Sequence, residues 1–111
     1  MAAGEALILT NRGVWHPQDL DTFTPPAGIA RLEGGRFSTS FLAVPATASQ
    51  AAELGYGLEE GQLVVVWTFE PYRPGDQLEQ GERRYVVLGG GLPPGAGALP
   101  DYRRFVARGL Q

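Results

Sequence analysis

The sequence predicts an all-β fold with some α+β character: a small antiparallel β-barrel or sandwich with one short helix and long loops. Short β-prone runs recur between turn signals roughly ten residues apart, which is typical of barrels and sandwiches. Glycine (16) and proline (9) are frequent in the 111 residues and follow no repeat, so long helices are excluded. Because this length is close to the commonest domain size, residues 1–111 are expected to form a single domain.

The first part of the chain combines a strand with an irregular segment. Residues 6–9 are predicted to form a strand that can extend to Val14 and Trp15, beyond a turn-prone interruption at residues 11–13. Residues 16–28 hold three prolines and two aspartates around isolated apolar side chains. That composition favours a long loop over any regular element.

A glycine pair predicts a β-hairpin after this loop. Gly34 and Gly35 separate the β-prone residues 29–33 and 36–44, and such a pair between two strands indicates a two-residue turn. The loop and the hairpin together predict a projecting unit over residues 16–40.

The middle of the chain contains one helix signal and the strongest strand signal. Thr47 and Gln50 match a capping box and Gly55 can end a helix, which predicts a short helix over residues 47–55. Residues 63–69 predict a strand with apolar side chains on both faces. The two faces are Leu63, Val65, Trp67 and Phe69 on one side, and Val64, Val66 and Thr68 on the other. Such a strand is either central in the fold or presents one face to another protein.

Turn signals divide the remainder into a hairpin, a loop and a final strand. Pro74-Gly75 fits the central positions of a type II turn, and residues 78–79 are predicted to pair with residues 83–88 across a tight turn. Residues 89–100 contain five glycines and three prolines, so a loop is expected there. Residues 102–110 fit either a helix or a strand, and we favour a strand.

The composition excludes several kinds of site. The absence of cysteine rules out disulfides, zinc–thiolate sites and cysteine nucleophiles, and the single histidine, His16, cannot build a metal site. The longest purely apolar run, residues 63–67, is far shorter than the ~20 residues of a membrane span. The net charge of −3 argues against a dedicated nucleic-acid binder. We expect no metal, no cofactor and no membrane association.

Motifs that could carry catalysis lack their partners. Residues 89–95 are glycine-rich but miss the Gly-Lys-Ser/Thr ending of a phosphate-binding loop. Asp19 and Asp21 are candidate paired carboxylates, and their proline-rich surroundings favour solvated loop acids instead. Residues 38–40 offer hydroxyl groups without a base to activate them. We therefore expect no catalytic residue and no enzyme activity.

Two arginine pairs raise nucleic-acid binding as an alternative. One pair precedes Tyr85 and the other follows Tyr102, and basic side chains beside aromatic rings are typical of surfaces that bind single strands. The pairs are Arg83-Arg84 and Arg103-Arg104. The other interpretation places the arginines in solvent and both tyrosines in the core. The first interpretation would make the chain an oligonucleotide-binding β-barrel.

From residue 41 onward, the order of these signals resembles that of a known family. The signals are a strand over residues 41–45, the short helix over 49–54, the long strand over 64–69, a Pro-Gly-Asp-x-Leu turn within 72–78, and a glycine-led strand over 81–88. This order is similar to that of the head-closure proteins of tailed bacteriophages, also described as head-tail joining, connector or stopper proteins. The resemblance covers about residues 41–108.

The resemblance implies a structural role without catalysis. It implies a small barrel that assembles as a dodecameric ring below the portal, joins the head to the tail and helps retain the DNA in the virion. The expected partners are copies of the chain, the portal or adaptor protein, the tail-terminator or tail-tube protein, and double-stranded DNA that passes without sequence specificity. Assembly would take place in the host cytoplasm, and a tail-terminator role is the nearest alternative.

Three sets of candidate site residues follow from this resemblance. The subunit interface is assigned to Val64, Val66, Thr68, Tyr72, Arg73 and Asp76. The loop that lines the channel or contacts a neighbour is assigned to Asp19, Asp21, Arg31, Glu33 and Arg36. A polar partner surface is assigned to Arg83, Arg84, Arg103 and Arg104.

Overall fold

Seven strands make up the computed structural model, which describes residues 10–47, 63–92 and 103–110 together with positions 49, 52 and 55. The strands are β1 Arg12–His16, β2 Arg31–Leu32, β3 Arg36–Pro45, β4 Leu63–Thr68, β5 Gln77–Gln80, β6 Arg83–Leu92 and β7 Arg103–Leu110. All pairings among these strands are antiparallel.

Six of the strands close into a barrel. Their order is β1-β5-β6-β7-β4-β3, and the pairing of β1 with β3 completes the ring, while β2 lies outside it on β3. The length of β3 makes closure possible, because residues 37–40 pair with β1 and residues 41–45 pair with β4. The predicted all-β fold is therefore confirmed, and it is a closed barrel.

Alternation along the strands sends one set of side chains into the barrel, and Tyr72, from the segment between β4 and β5, joins it. The interior set is Trp15, Phe37, Phe41, Val64, Val66, Tyr72, Leu78, Tyr85, Val87, Phe105 and Ala107. Aromatic rings pack edge to face here, with centroids 4.8 Å apart for Trp15 and Tyr72 and 6.1 Å apart for Phe41 and Tyr85. These contacts add to the apolar burial that stabilises a small barrel.

The predicted glycine-pair hairpin is present, with a longer turn than expected. Leu32 pairs with Arg36, so three residues, 33–35, connect β2 to β3. The φ angles of Gly34 and Gly35 are +72° and +70°, a conformation that glycine adopts without steric strain. The first strand of the hairpin spans only two residues, so the expected strand over residues 29–33 is wrong in length.

The turns on both sides of β5 agree with the sequence. Asp76 N donates a hydrogen bond to Arg73 O at 3.0 Å across Pro74-Gly75, and the φ of Gly75 is +93°, as a type II turn requires. Gln80 pairs with Arg83, so a two-residue turn joins β5 to β6.

Strand β6 runs to Leu92, into residues that the sequence predicts to form a loop. Its pairing with β7 shifts register twice, after Val87 and after Gly90. The φ of Gly90 is +105°, and an added Cβ there would lie 2.7 Å from the carbonyl oxygen of Arg104. Glycine therefore lets a bulged β6 follow β7 instead of ending the strand. The predicted strand near the end of the chain is confirmed as β7.

Strand β1 begins at Arg12, within the run predicted to interrupt a strand. The carbonyl oxygen of Asn11 accepts hydrogen bonds from Phe41 N at 3.0 Å and from Gln80 Nε2 at 3.1 Å, which holds this backbone extended. Residues 6–9, most of the predicted helix over 47–55, and residues 93–102 lie outside the described residues. Within the described part of the chain, no helix has the length and apolar character needed to cross a membrane.

The close approach of three strands at Gly13 generates a prediction about stability. A Cβ added at Gly13 would lie 2.5 Å from Glu79 O and 2.7 Å from Phe41 Cε1, so Gly13→Ala should lower the free energy of unfolding by about 2–3 kcal/mol. Urea denaturation measures this change. Gly28→Ala is the control, because φ there is +87° but nothing lies within 4 Å, and it should cost only about 1 kcal/mol. An equal loss in the two variants would contradict the proposed steric cause.

Candidate interaction surface

An irregular segment, residues 17–30, crosses one end of the barrel between β1 and β2. Phe23 anchors it, because the centroid of its ring lies 4.9 Å from that of Trp15 and 4.7 Å from that of Phe37. Both partners belong to the barrel core. The predicted loop is thus confirmed as irregular, and its middle packs on the barrel.

A buried carboxylate fixes the start of this loop. Asp76 is 2% exposed and accepts three hydrogen bonds, from Trp15 Nε1 at 2.9 Å, the backbone N of Gln18 at 2.9 Å and the backbone N of Arg73 at 3.0 Å. These donors satisfy a carboxylate whose burial would otherwise be strongly destabilising. Asp76, predicted to belong to a subunit interface, is thus buried within the fold of its own chain, and its place in an interface stays a prediction.

The Tyr72 hydroxyl is the centre of a second buried polar cluster. It lies 2.6 Å from Thr39 Oγ1 and 3.3 Å from Thr68 Oγ1. Thr68 Oγ1 also donates to the carbonyl oxygen of Ser40 at 2.9 Å. Burial raises the pKa of Tyr72 well above its ordinary value. The cluster satisfies hydroxyl groups inside an otherwise apolar core, so Tyr72 and Thr68 serve the fold of this chain.

Most of the residues predicted for a subunit interface are thus interior to the barrel. The buried ones are Val64, Val66, Thr68, Tyr72 and Asp76. Alternation along β4 leaves Leu63, Val65 and Trp67 on its outward face. Both faces are apolar, so the sequence pattern could not tell which one is inside. Arg73 is the exposed member of the set, and its Nη1 donates to Thr22 Oγ1 at 3.3 Å.

A concave pocket of about 620 Å³ lies between the loop and the β2–β3 hairpin. Its lining is Leu20, Phe23, Arg31, Leu32, Glu33, Gly34, Gly35 and Phe37. Leu20 is 53% exposed and Leu32 is 37% exposed, unusually high values for large apolar side chains in a chain with a well-filled core. The Arg31 guanidinium carbon lies 5.6 Å from the centroid of the Phe37 ring, within range of a cation–π contact.

Glu33 lines this pocket, and Asp19 and Asp21 adjoin its lining residue Leu20 in the sequence. Asp19 Oδ1 accepts a hydrogen bond from the backbone N of Asp21 at 3.0 Å, which turns the loop back on itself. Arg36 Nε donates to the carbonyl oxygen of Glu33 at 2.7 Å across the hairpin turn. All five residues predicted to line a channel or contact a neighbour therefore lie on the loop or the hairpin. We define the loop–hairpin surface as Asp19, Leu20, Asp21, Arg31, Leu32 and Glu33.

The predicted arginine cluster is divided between different contacts. Arg84 Nη2 lies 2.6 Å from Glu79 Oε1, and the guanidinium carbon of Arg104 lies 5.9 Å from the centroid of the Trp67 ring. Tyr85 is 6% exposed and packs in the core, so it offers no stacking surface to a base. Arg83 and Arg103 are exposed, and Tyr102 lies outside the described residues.

An ion-pair network on the outer wall was missed by sequence reasoning. Glu79 on β5 binds Arg84 through one oxygen and His16 Nε2, at 2.8 Å, through the other. Hydrogen bonds from Arg84 and then from His16 lower the pKa of Glu79 to about 2. His16 and Glu79 are 63 positions apart, so only the pairing of β1 with β5 reveals the contact.

A smaller pocket of about 250 Å³ opens beside β3 between the hairpin and β4, and its lining includes Arg12, Ser38 and Glu70. Burial raises the pKa of Glu70. Among the residues described by the structure, no group of three histidine or carboxylate side chains is placed to hold a metal ion.

Comparison with known proteins adds no relative. No protein-family model, curated protein or solved structure matches the chain. What the chain does must therefore be argued from its own residues.

The three hydrogen bonds to Asp76 predict a graded loss of stability. Asp76→Ala leaves the buried indole N–H of Trp15 and two half-buried backbone N–H groups without an acceptor, and should lower the free energy of unfolding by about 3 kcal/mol. Asp76→Asn keeps one acceptor oxygen and should cost about 2 kcal/mol. Urea denaturation measures both changes, and Asp19→Ala in the exposed loop is the control. The role given to Asp76 would be refuted if its alanine variant were no less stable than the Asp19 variant.

The lowered pKa of Glu79 predicts a pH dependence. The pKa of Glu79 is about 2 in the folded chain, against an ordinary value of 4.5. The ionised Glu79 carboxylate therefore stabilises the fold fully above pH 4.5, and this contribution disappears as the pH falls towards 2. The stability difference between the wild type and Glu79→Gln should therefore shrink over that interval. Urea denaturation at stepped pH measures it, with Arg84→Gln as a second background in which the dependence is weaker. A difference that stays constant with pH contradicts this explanation.

Proposed function

We propose that the chain is a structural subunit of the head-to-tail connector of a tailed phage, located in a ring below the portal where it joins head to tail and helps retain DNA. The observation that carries this proposal is that the barrel elements and the exposed apolar side chains lie on different parts of the chain. The described segments that resemble head-closure proteins form barrel elements: residues 41–45 lie in β3, 64–68 in β4, and 81–88 in the β5–β6 hairpin. The exposed leucines lie on the segment that precedes them.

A rigid barrel with a separate exposed surface suits a protein that must position its contacts with neighbouring subunits. A closed barrel with a filled core is a rigid body, and the loop–hairpin surface is attached to it through Phe23 and the Asp76 hydrogen bonds. A ring subunit needs two different complementary faces and a fixed angle between them. Rigid attachment of an exposed apolar surface meets the second requirement.

The charge of the chain fits a channel that DNA passes through. The net charge is −3, and binding to DNA depends on cations that neutralise phosphates. A ring of subunits with net negative charge offers few cations to the phosphates of a passing duplex. Such a channel lets DNA pass without binding it tightly.

The described geometry supports the oligonucleotide-binding alternative less well. Proteins of that class stack bases on exposed aromatic rings beside basic side chains. Here Tyr85 is buried, Arg84 is paired with Glu79, and the ring of Trp67 is already covered by Arg104 on one side. The tail-terminator alternative is supported by the same features as the connector, so the partner must distinguish the two.

Co-purification tests the proposed function. The chain is produced together with the portal protein, or with the tail-tube protein, of a phage that encodes it, and complexes are isolated through a tag on the partner. We expect the chain to be retained by the portal. Retention by the tail tube alone would identify a tail terminator. Retention by neither partner, together with binding to single-stranded DNA at low salt, would overturn the proposal in favour of an oligonucleotide-binding barrel.

A further inference from the structure

The outer wall formed by β6 and β7 carries an arginine-rich surface. Arg84 pairs with Leu110, and Val86 pairs with Arg108, in neighbouring positions of the β6–β7 ladder. Both arginines are exposed and both apolar residues are half-buried. Arg83 adjoins them at the β5–β6 turn. We define the arginine surface as Arg83, Arg84, Val86, Arg108 and Leu110.

The two defined surfaces lie on different parts of the barrel. In the closed order β1-β5-β6-β7-β4-β3, strand β6 is three positions from β3 in either direction. Arg83 and Arg84 lie beside the β5–β6 turn, where Gln80 pairs with Arg83, whereas the loop and the hairpin adjoin the ladder position at which Trp15 pairs with Phe37. The two surfaces therefore share no residue and no strand pairing.

The charges of the two surfaces are complementary. The loop–hairpin side carries three acids, Asp19, Asp21 and Glu33, against Arg31 and Arg36. Arg31 is held over Phe37 and Arg36 is bound to a carbonyl oxygen. The carboxylates of Asp21 and Glu33 bind no other described side chain.

The arginine side shows the reverse balance. It carries Arg83, Arg84 and Arg108 against Glu79 and Glu82. Glu79 is already bound by Arg84 and His16. Arg83 and Arg108 are exposed and form no ion pair with any described residue.

We propose that the loop–hairpin surface of one copy of the chain binds the arginine surface of a second copy, in a head-to-tail contact. Leu20 and Leu32 would be covered by Val86, Leu110 and the apolar stem of Arg108, while Asp21 and Glu33 meet arginines. This inference rests on the proposed function for its partner, a second copy of the chain. Contact between two different surfaces of identical subunits is heterologous, the kind that generates rings.

The available area permits this contact. A standard interface covers about 800 Å² on each partner, and the chain exposes 6955 Å². The exposed area of one chain is therefore large enough for two interfaces of this size. Apolar centres bordered by charged groups, with arginine prominent, are the usual composition of protein interfaces.

Cysteine cross-linking tests the contact, because the chain contains no cysteine of its own. The double variant Glu33→Cys, Arg108→Cys is oxidised at high protein concentration and separated on a non-reducing gel. Head-to-tail contact links each copy to two others and gives a ladder beyond the dimer. Strand β4 lies between β7 and β3, so the hairpin with Glu33 is about two strand spacings or more from Arg108, too far for a disulfide within one chain. The control is Glu33→Cys, Val44→Cys, since Val44 is 42% exposed but lies outside both surfaces.

We expect a ladder from the first pair of cysteines and, at most, weak dimers from the control. Equal cross-linking in the two double variants, or dimers alone from the first, would overturn the proposed contact. A chain that stays monomeric and gives no ladder, yet is retained by the portal, would overturn this contact and leave the proposed function in place. A ladder without retention by the portal would support this contact and overturn the proposed function.

Charge reversal provides a second, independent test. Arg108→Glu or Glu33→Arg alone should weaken self-association, measured by sedimentation, at least about tenfold, because like charges then face each other. The double variant that carries both changes restores opposite charges and should recover most of the loss. Both positions are exposed, and circular dichroism checks that the variants fold. Losses that simply add in the double variant would contradict direct pairing of the two surfaces.

Discussion

The hydrogen bonds to the Asp76 carboxylate determine how the loop end of this barrel is built. One buried acid receives donors from Trp15 in β1 and Gln18 at the start of the loop, 61 and 58 positions away, and from Arg73 in its own turn, so two distant stretches of the chain meet at one acceptor. A carboxylate is tolerated in such a place only when its oxygens are fully hydrogen-bonded. The bond to the Trp15 indole also orients the ring on which Phe23 packs. The position of the loop–hairpin surface therefore follows from a single acid.

Local chemistry explains which parts of the fold could be predicted from the sequence. The turns at Pro74-Gly75 and Gly81 need backbone conformations that these residues adopt easily, so the sequence alone predicts them. The sequence alone does not predict the bulged stretch near Gly90, because its glycines fit either a loop or a strand that packs closely against Phe105. The sequence alone also does not predict which face of β4 is inward, since apolar residues occupy both faces. The pairing of β4 with β3 and β7 determines it.

The candidate surface shows the same limit. The acids of the loop could be proposed from their proline-rich surroundings, but the exposure of Leu20 and Leu32 could not, because an isolated apolar residue in a loop is equally compatible with a place in the core. Exposure depends on what the rest of the chain puts nearby. The arginines were visible as a cluster in the sequence, and their division between Glu79, Trp67 and solvent emerges only from the strand order.

Strand β2 stands outside the closed ring, and this position separates two functions of one sheet. Without β2, each of the six barrel strands would keep both of its neighbours, and only two residue pairs join β2 to β3. Substitutions in the rim that carries Leu32 and Glu33 therefore leave the closed ring of strands intact. Sequence change in this rim can alter what the chain binds at little cost to the stability of the barrel.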